Sequence, residues 1–483
     1  MILYLALALS LLFIFVVQIF YRTSATKKNL PPSPPRLPII GHLHLQKLPM
    51  YVTYNKLAEK YGPIYTLEYG SRRVVVVSSA STIEECFTTK NDPILANRSF
   101  LLVGKYLGYN YTAIDHAPYG DHWRNMRRLA ASEMLSISRM NSLVSIRNDE
   151  VKQMITKLSH ESMQNFAKVE LKTPFRDLAF NIMTRMTTGK RAFDDDLTTY
   201  YDSANPGDFI SFWGWFDGGR YEKKLSNIFK RMDTWMQQLV EECRNKLHPG
   251  SLETLVNNLL LLQKSDPKNI TDDTIKGFVS GIIFAGNEAT YVTIEWAMAS
   301  IVQDPRILKK LKDEMDNVIG QHRRLEEDDL PKLPYLRMVI LEALRMFPAT
   351  PMIDPHMASE DCTIAGYHIP RGSIILANAW ALHRDPTLWK DPDTFVPERF
   401  EGISDGAIKN FIGFGMGRRS CPGMHLGHRI MGLTLGSIIQ CFDWQMISGK
   451  DIDMTGASGV TMPMVVPLEV LCKARPIVKK ILS

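Results

Sequence analysis

A chain of 483 residues, 45% hydrophobic and 22% charged, can bury a large core and lacks the composition of a disordered protein. Its net charge of +6, from 57 basic against 51 acidic residues, is too mild and too dispersed to argue for nucleic acid. It suits an anionic membrane surface or an acidic protein partner.

Met1 to Phe20 carries no charge and is nearly all apolar. At about 1.5 Å per residue such a run crosses a bilayer core. Arg22, Lys27 and Lys28 follow it and no basic residue precedes it, so the positive-inside bias places the remainder in the cytosol. A cleaved signal peptide would carry a basic start, a shorter apolar run and a small-residue cleavage site. The expectation is a single-pass anchor, residues 1–20, in the endoplasmic reticulum membrane. The sequons at Asn97, Asn110 and Asn269 are then chance matches. Cys86, Cys243, Cys362, Cys421, Cys441 and Cys472 show no zinc-type or small-scaffold spacing and read as reduced thiols.

Residues 21–38 are basic and then proline-rich. Five prolines between Pro31 and Pro38 forbid helix and predict a semi-rigid hinge. The body, 39–483, shows no second linker and no internal repeat. It opens with a β-branched run, Val74-Val75-Val76-Val77, after Gly70. From Ala80 to Phe347 the pattern is mainly helical, with segments ended by Pro or Gly. A long helix is predicted from an N-cap near Thr271, through Asp272 and Asp273, to Asp304-Pro305. Within it Gly281, Ala285 and Ala289 recur at i, i+4 and i+8, leaving a shallow face that suits either close helix packing or a flat ligand. From Pro348 onward short strands mix with one more long helix, Met424 to about Cys441. The fold class is mainly α with small β-sheets.

Several chemistries are excluded. The glycines of Gly413-Phe414-Gly415-Met416-Gly417 lack dinucleotide spacing, Gly189-Lys190 runs into Arg191 rather than a phosphate loop, and no H-E-x-x-H occurs. His42 and His44 sit in a loop and are poor metal candidates. Electrons from a nicotinamide cofactor would have to arrive through another protein.

The strongest signal is Phe414-Gly415-Met416-Gly417-Arg418-Arg419-Ser420-Cys421-Pro422-Gly423. It fits F-x-x-G-x-R-x-C-x-G at every fixed position, a match expected by chance on the order of once in ten thousand such chains. Cys421 lies just before a helix start, where unpaired backbone N–H groups and the positive end of the helix dipole face a thiolate. Those donors would temper the charge of a sulfur that ligates iron. Gly417 and Gly423 would permit close backbone approach to ligand and macrocycle, Phe414 would shield the sulfur, and Arg419 would neutralise a carboxylate of the macrocycle.

On these residues the chain resembles a cytochrome P-450, over essentially its whole length. The resemblance implies that fold behind an N-terminal transmembrane helix, a haem b with Cys421 as its metal ligand, dioxygen activation, and electrons from NADPH through a partner reductase. Glu342-Ala343-Leu344-Arg345, with Arg399 of Pro397-Glu398-Arg399-Phe400, matches a structural ion triad of that family. Trp123, Arg127 and His356 match positions that hold the haem propionates, and Ala285 one that lies against the ring.

The long helix departs from the pattern. The family reads A-G-x-D/E-T-T/S, whereas this chain has Ala285-Gly286-Asn287-Glu288-Ala289-Thr290. The alcohol that helps deliver protons is absent at Ala289; Glu288 remains, and Thr290 lies about 100° round the helix. Some family members with a non-alcohol here close methylenedioxy bridges. Gly413 replaces a proline before the cysteine loop and should loosen its start. Arg191 to Tyr221 is about twenty residues short, where a helix normally roofs the substrate pocket.

The chain most resembles the plant group called family 81. The runs carrying this are Ile39-Ile40-Gly41-His42-Leu43, Gly108-Tyr109-Asn110-Tyr111-Thr112 and Tyr119-Gly120-Asp121-His122-Trp123-Arg124. That group acts mostly on phenolic specialised metabolites, including isoflavones and lignans. By position, the pocket would be lined by Leu107, Phe284, Ala289, Thr350, Met352, Ile353 and Val460. Asp354, at a usually apolar position, would be a substrate anchor or a solvated strand-end acid. Three readings follow: a reductase-dependent monooxygenase of a small aromatic metabolite, a haem-thiolate isomerase or dehydratase, and a haem-binding protein without turnover.

Overall fold

The computed structural model describes residues 29–191, 208–209, 219–247, 254–403, 408 and 410–482, with Tyr4, Leu9, Ser10, Leu12 and Phe13. The rest of the predicted anchor 1–20, the hinge up to residue 28 and most of the shortened stretch after Arg191 lie outside the described residues. Among the described residues no helix is long and apolar enough to cross a membrane.

The proline run lies along the first sheet. Thr66 N–H donates to Pro32 O at 2.7 Å. His42, fully buried, stands with Nε2 2.8 Å from Pro34 O and accepts the Glu68 N–H on Nδ1 at 2.7 Å. Arg36 pairs with Glu68. The described part of the hinge is thus tacked to the body through both nitrogens of one imidazole. Burial holds that ring below the ordinary imidazole range and keeps it neutral.

Helix α1 (Met50–Tyr61) leads into β1 (Ile64–Tyr69) and β2 (Arg72–Val77). The valine run of β2 is fully buried, as expected of a strand covered on both faces. It pairs antiparallel with β1 on one side and parallel with a much later strand on the other. Short helices α2 (Ala80–Phe87), α3 (Asn91–Leu95) and α4 (Leu102–Tyr106) precede α5 (Asp121–Glu133), α6 (Ile137–Ser142) and α7 (Val144–Ser162). Strand β3 (Ala167–Glu170) interrupts the helical half, followed by α8 (Lys172–Thr188), α9 (Arg220–Lys246), α10 (Leu255–Ser265), α11 (Asp272–Gln303), α12 (Pro305–Val318) and α13 (Pro334–Met346). The last part contains β4 (His356–Met357), β5 (Cys362–Ile364), β6 (Tyr367–Ile369), β7 (Ile374–Ala377), α14 (Ala379–Leu382), α15 (Met424–Cys441), β8 (Phe442–Gln445), β9 (Glu469–Ala474) and α16 (Ile477–Leu482). The sheets run β1-β2-β7-β4, β3-β9-β8 and β5-β6.

Helix α11 is the axis of the molecule. It starts where predicted, with Thr271 Oγ1 accepting the Thr274 N–H. Nearly every residue from Ile275 to Val302 outside its 282–289 stretch is buried, the mark of a helix surrounded by protein rather than lying on a surface. It packs on α8, α13 and α15. Near its C-terminal end Trp296 stacks flat on Phe347, with ring centres 4.1 Å apart, and its indole N–H donates to Met462 O at 2.7 Å.

One carboxyl in this core carries an expected pH effect. Glu295 is fully buried; its Oε1 accepts the Leu468 N–H at 3.0 Å, while Oε2 has no hydrogen-bond partner among the described residues. Burial pushes its pKa from 4.5 to about 7. A raised carboxyl stabilises the fold fully below pH 4.5 and loses that contribution as pH climbs through 7. The difference corresponds to on the order of 3 kcal/mol. Glu295→Gln keeps the acceptor for Leu468 and removes the charge. Denaturation at pH 5 and pH 8 should therefore show wild type losing more stability than the glutamine variant; parallel losses would disprove the assignment.

Candidate active site

The start of α15, the middle of α11 and the segments before α5 and β4 enclose a cavity of about 310 Å³. Cys421 opens onto it just before α15, with Gly423 as N-cap of that helix. The turn preceding it is held by backbone: Cys421 N–H donates to Phe414 O at 2.8 Å, and Gly415 N–H to Ile412 O at 2.9 Å. Burial raises the Cys421 thiol, opposed by the Gly423 N–H and the Arg127 charge. The other thiols are buried, or half-buried in the case of Cys362.

Two glycines act otherwise than expected. Gly417 has φ +72°, and a Cβ there would fall 2.4 Å from Phe87 O and 2.6 Å from Asp92 Oδ1. It does not line the cavity. Its requirement is a left-handed turn pressed against α3, not an approach to the macrocycle. Gly413, expected to loosen the loop, makes room for Phe411: a Cβ would meet that ring at 2.8 Å, and the ring stacks on His383.

Of the predicted site residues, Cys421, Phe414, Gly423, Arg419, Trp123, Arg127, His356, Ala285, Ala289, Thr290, Thr350, Ile353 and Asp354 line this one cavity. Leu107 and Phe284 are instead buried in the apolar core. Met352 packs toward the first sheet, and Val460 is 48% exposed. These four were placed by linear position; Phe284 faces the core from α11, and the segments carrying the other three point elsewhere. Glu288 also lies outside the lining, where its Oε1 accepts from Thr461 Oγ1 at 2.5 Å. Thr290 reaches the cavity, but its hydroxyl donates to Gly286 O at 2.6 Å and is committed to its own helix.

The lining has the donors that a flat macrocycle bearing two carboxylates would require. Arg127 is half-buried on α5 and has no hydrogen bond or ion pair among the described residues. A guanidinium left so is costly unless an anion joins it. Arg419 donates to Ala96 O, Ile114 O and Ala117 O and lies 4.5 Å over the Trp123 ring. Burial lowers its pKa to about 9, with Arg98 next in effect. Trp123 gives its indole N–H to Ile114 O at 3.1 Å. His356, buried and held neutral by burial, bonds Leu95 O through Nδ1 at 2.9 Å. Sequence reasoning missed Arg98, which lines the same cavity and donates to the carbonyls of Asp115, Asp354 and Pro355. Its only cue was a lone arginine beside the sequon at Asn97. One thiol ligand, a face of small residues on α11 and a set of buried cations fit a haem.

The predicted ion triad lies behind this cavity. Glu342 and Arg345 are both fully buried. Glu342 accepts from Arg345 Nε and Nη2, from Arg399 Nε at 2.9 Å and from the Val396 N–H at 2.8 Å. Arg345 Nη1 donates on to His383 O and Pro392 O.

Comparison with known proteins agrees with this geometry. A family model described as Cytochrome P450 matches residues 31–467. Cytochrome P450 81Q32 of Catharanthus roseus is 45% identical, over 96% of this chain and 95% of that protein. The isoflavone 2'-hydroxylase of Glycyrrhiza echinata is 44% identical over 98% and 97%, and the isoflavone 3'-hydroxylase of Medicago truncatula 43% over 97% of each. A zebra fish cytochrome P450 solved with abiraterone superposes with a TM-score of 0.76 at 25% identity, covering 88% of this chain and all of that one. A match that runs from the proline segment through the cysteine loop, with plant relatives along nearly the full length, makes this chain a member of the cytochrome P450 family, a haem monooxygenase akin to the plant 81 group.

Proposed function

We propose that the chain oxidises a phenolic aromatic metabolite of plants, of isoflavonoid or lignan type, using dioxygen and electrons passed singly from NADPH by a partner reductase. The reading includes methylenedioxy-bridge closure. It also places the body on the cytosolic side of the endoplasmic reticulum membrane behind a single-pass anchor, which the uncharged run Met1–Phe20 supports. The observation that carries the chemistry is the combination, in one cavity, of Cys421 with an α11 face that lacks an alcohol at Ala289.

The haem supplies dioxygen activation when bound. The chain's own residues do the rest. Cys421 provides the thiolate, and the Gly423 N–H tempers its charge. Arg127, Arg98 and Arg419, which line the cavity, would hold the two carboxylates of the group. The small face at Gly281, Ala285 and Ala289 leaves room for a flat substrate. Protons have no alcohol to travel through at 289, and the Thr290 hydroxyl is engaged with Gly286. The protonatable group nearest in sequence is Glu288, hydrogen-bonded to Thr461; a phenol on the substrate is the other source. Bridge closure uses such a phenol: a methoxyl and its neighbouring hydroxyl lose two hydrogens and form O–CH2–O, while dioxygen, NADPH and one proton leave as two waters and NADP+.

The test is reconstitution of the full chain with a plant reductase and a panel of isoflavones and lignans. NADPH consumption should depend on substrate, and products should gain one oxygen or lose two hydrogens. Conversion without reductase or NADPH would favour an isomerase or dehydratase, and haem-loaded protein that turns over nothing would sink the proposal. Ala289→Thr should lower product formed per NADPH about threefold or more, because the added methyl and hydroxyl crowd the substrate phenol. A rise in coupling would mark the alanine as a lesion and ordinary hydroxylation as the chemistry.

A further inference from the structure

Asp115 and His116 form a charge pair on the cavity wall that the mechanism above leaves unused. They lie just before α5, between Ile114, whose carbonyl accepts the Trp123 indole N–H, and Ala117, whose carbonyl accepts from Arg419. Asp115 lines the cavity together with Gly281, Ala285 and Ala289 of α11. A Cβ at Gly281 would stand 3.4 Å from Asp115 Oδ1, so the carboxylate crosses the small-residue face one turn before Ala285. Its Oδ2 is 3.0 Å from His116 Nδ1, off the hydrogen-bonding axis. Its Oδ1 is closed from solvent and has no hydrogen-bond partner among the described residues.

A buried carboxylate oxygen without a donor is costly. The cost is removed when a ligand brings the donor, which a turn of the side chain away from the Gly281 face would let the carboxylate reach from the cavity that Asp115 lines. Burial alone would raise the Asp115 carboxyl, but His116, the residue's own backbone N–H and Arg98 outweigh it and hold it below the ordinary range. The group therefore stays ionised and accepts only. It is also already balanced: its charge holds His116 above the ordinary imidazole range despite burial, and Arg98 lies close by. A second full cation has no charge left to neutralise, so the donor that fits is a neutral one.

We infer that Asp115 is a specificity-determining residue that accepts a hydrogen bond from a neutral hydroxyl on an aromatic substrate. The inference rests on the proposed reading of this cavity as the substrate site.

The test uses the haem-loaded full chain and two probes that differ only in the donor, 4-phenylphenol and 4-methoxybiphenyl. Their affinities are read without turnover, from the haem difference spectrum and from tryptophan fluorescence. The phenol should bind roughly tenfold more tightly than the ether, the span of a charge-assisted hydrogen bond. Asp115→Val should abolish that preference by weakening the phenol alone; Asp115→Asn, which keeps a neutral acceptor, should cut it about threefold or more. Equal weakening of both probes would make Asp115 a shaping residue and overturn the inference. So would a wild type that does not prefer the phenol or binds neither probe. Tighter binding of 4-phenylbenzylamine, a cation at neutral pH, than of the phenol would also overturn it. If the valine variant fails to load haem, the asparagine variant decides: an unchanged preference overturns the inference. Failure of isoflavones to bind, with the biphenyl preference intact, would count against the proposed substrate class and leave Asp115 in place.

Discussion

Cys421→Ser is expected to abolish the red-shifted Soret band of the reduced carbon monoxide adduct, and turnover with it. The oxygen that replaces sulfur is nearly isosteric, and the turn is held by backbone bonds from Cys421 N–H to Phe414 O and from Gly415 N–H to Ile412 O. The polypeptide should therefore fold, and the effect is one of ligand chemistry: an alcohol at neutral pH does not supply the anionic soft donor that a thiolate does. Absorption spectra of the reduced, carbon monoxide-treated protein read the result directly. Replacement of Cys86, Cys243, Cys362, Cys441 or Cys472 should leave the band in place, because those thiols are buried elsewhere or, for Cys362, sit on the β5 hairpin. A surviving band in the serine variant would show that another group ligates the iron.

Glu342→Ala should be as severe by another route. The carboxylate accepts from Arg345, Arg399 and the Val396 N–H, and nothing else among the described residues is placed to neutralise the two guanidiniums. Removing one member of a buried ion pair costs about 3–5 kcal/mol, because the remaining charges stay desolvated. The segment carrying Val396 and Arg399 packs on α13 through this triad, so its release frees the chain that leads to the cysteine loop. The expected result is haem-free or aggregated protein, checked by the ratio of Soret to protein absorbance after purification. Glu342→Gln should be milder, since a carbonyl oxygen in the place of Oε1 still accepts from the Val396 N–H, Arg399 Nε and Arg345 Nη2. Fully loaded, stable Glu342→Ala protein would show the triad to be dispensable.

How much of this was legible beforehand depends on how local each signal is. The long helix, its Thr271 cap and the helix after Cys421 all rest on contiguous patterns, and their ends fall where the caps and prolines put them. The valine strand was equally plain. Strand β3 was not: Ala167-Lys168-Val169-Glu170 is short and half-exposed, and only pairing with Glu469–Ala474, three hundred residues on, makes it a strand. The cavity divides in the same way. Residues fixed by a dense motif, such as Phe414 and Arg419, face it. Leu107, Met352 and Val460 were assigned by linear position across turns whose direction the sequence does not encode, and Phe284 lies on a face of α11 turned into the core. Arg98 and Asp115 escaped notice because a single charge in a loop carries no period. What distinguishes them is the company of α11 and β4, which only the folded chain supplies.

The stapling of the proline run by His42 also sets a load path. From Pro32 and Pro34 force passes through Thr66, Glu68 and the imidazole into β1, then by paired backbone through β2 and β7 into β4, where His356 lines the haem cavity. Hydrogen-bonded strands resist shear, so a tug on the chain ahead of Pro32 is not lost in a slack tether. It is shared by the four-stranded sheet and arrives at the imidazole beside Leu95. Posture at the front of the molecule and the groups at the reaction centre are therefore joined by one unbroken run of hydrogen bonds from Pro32 to His356.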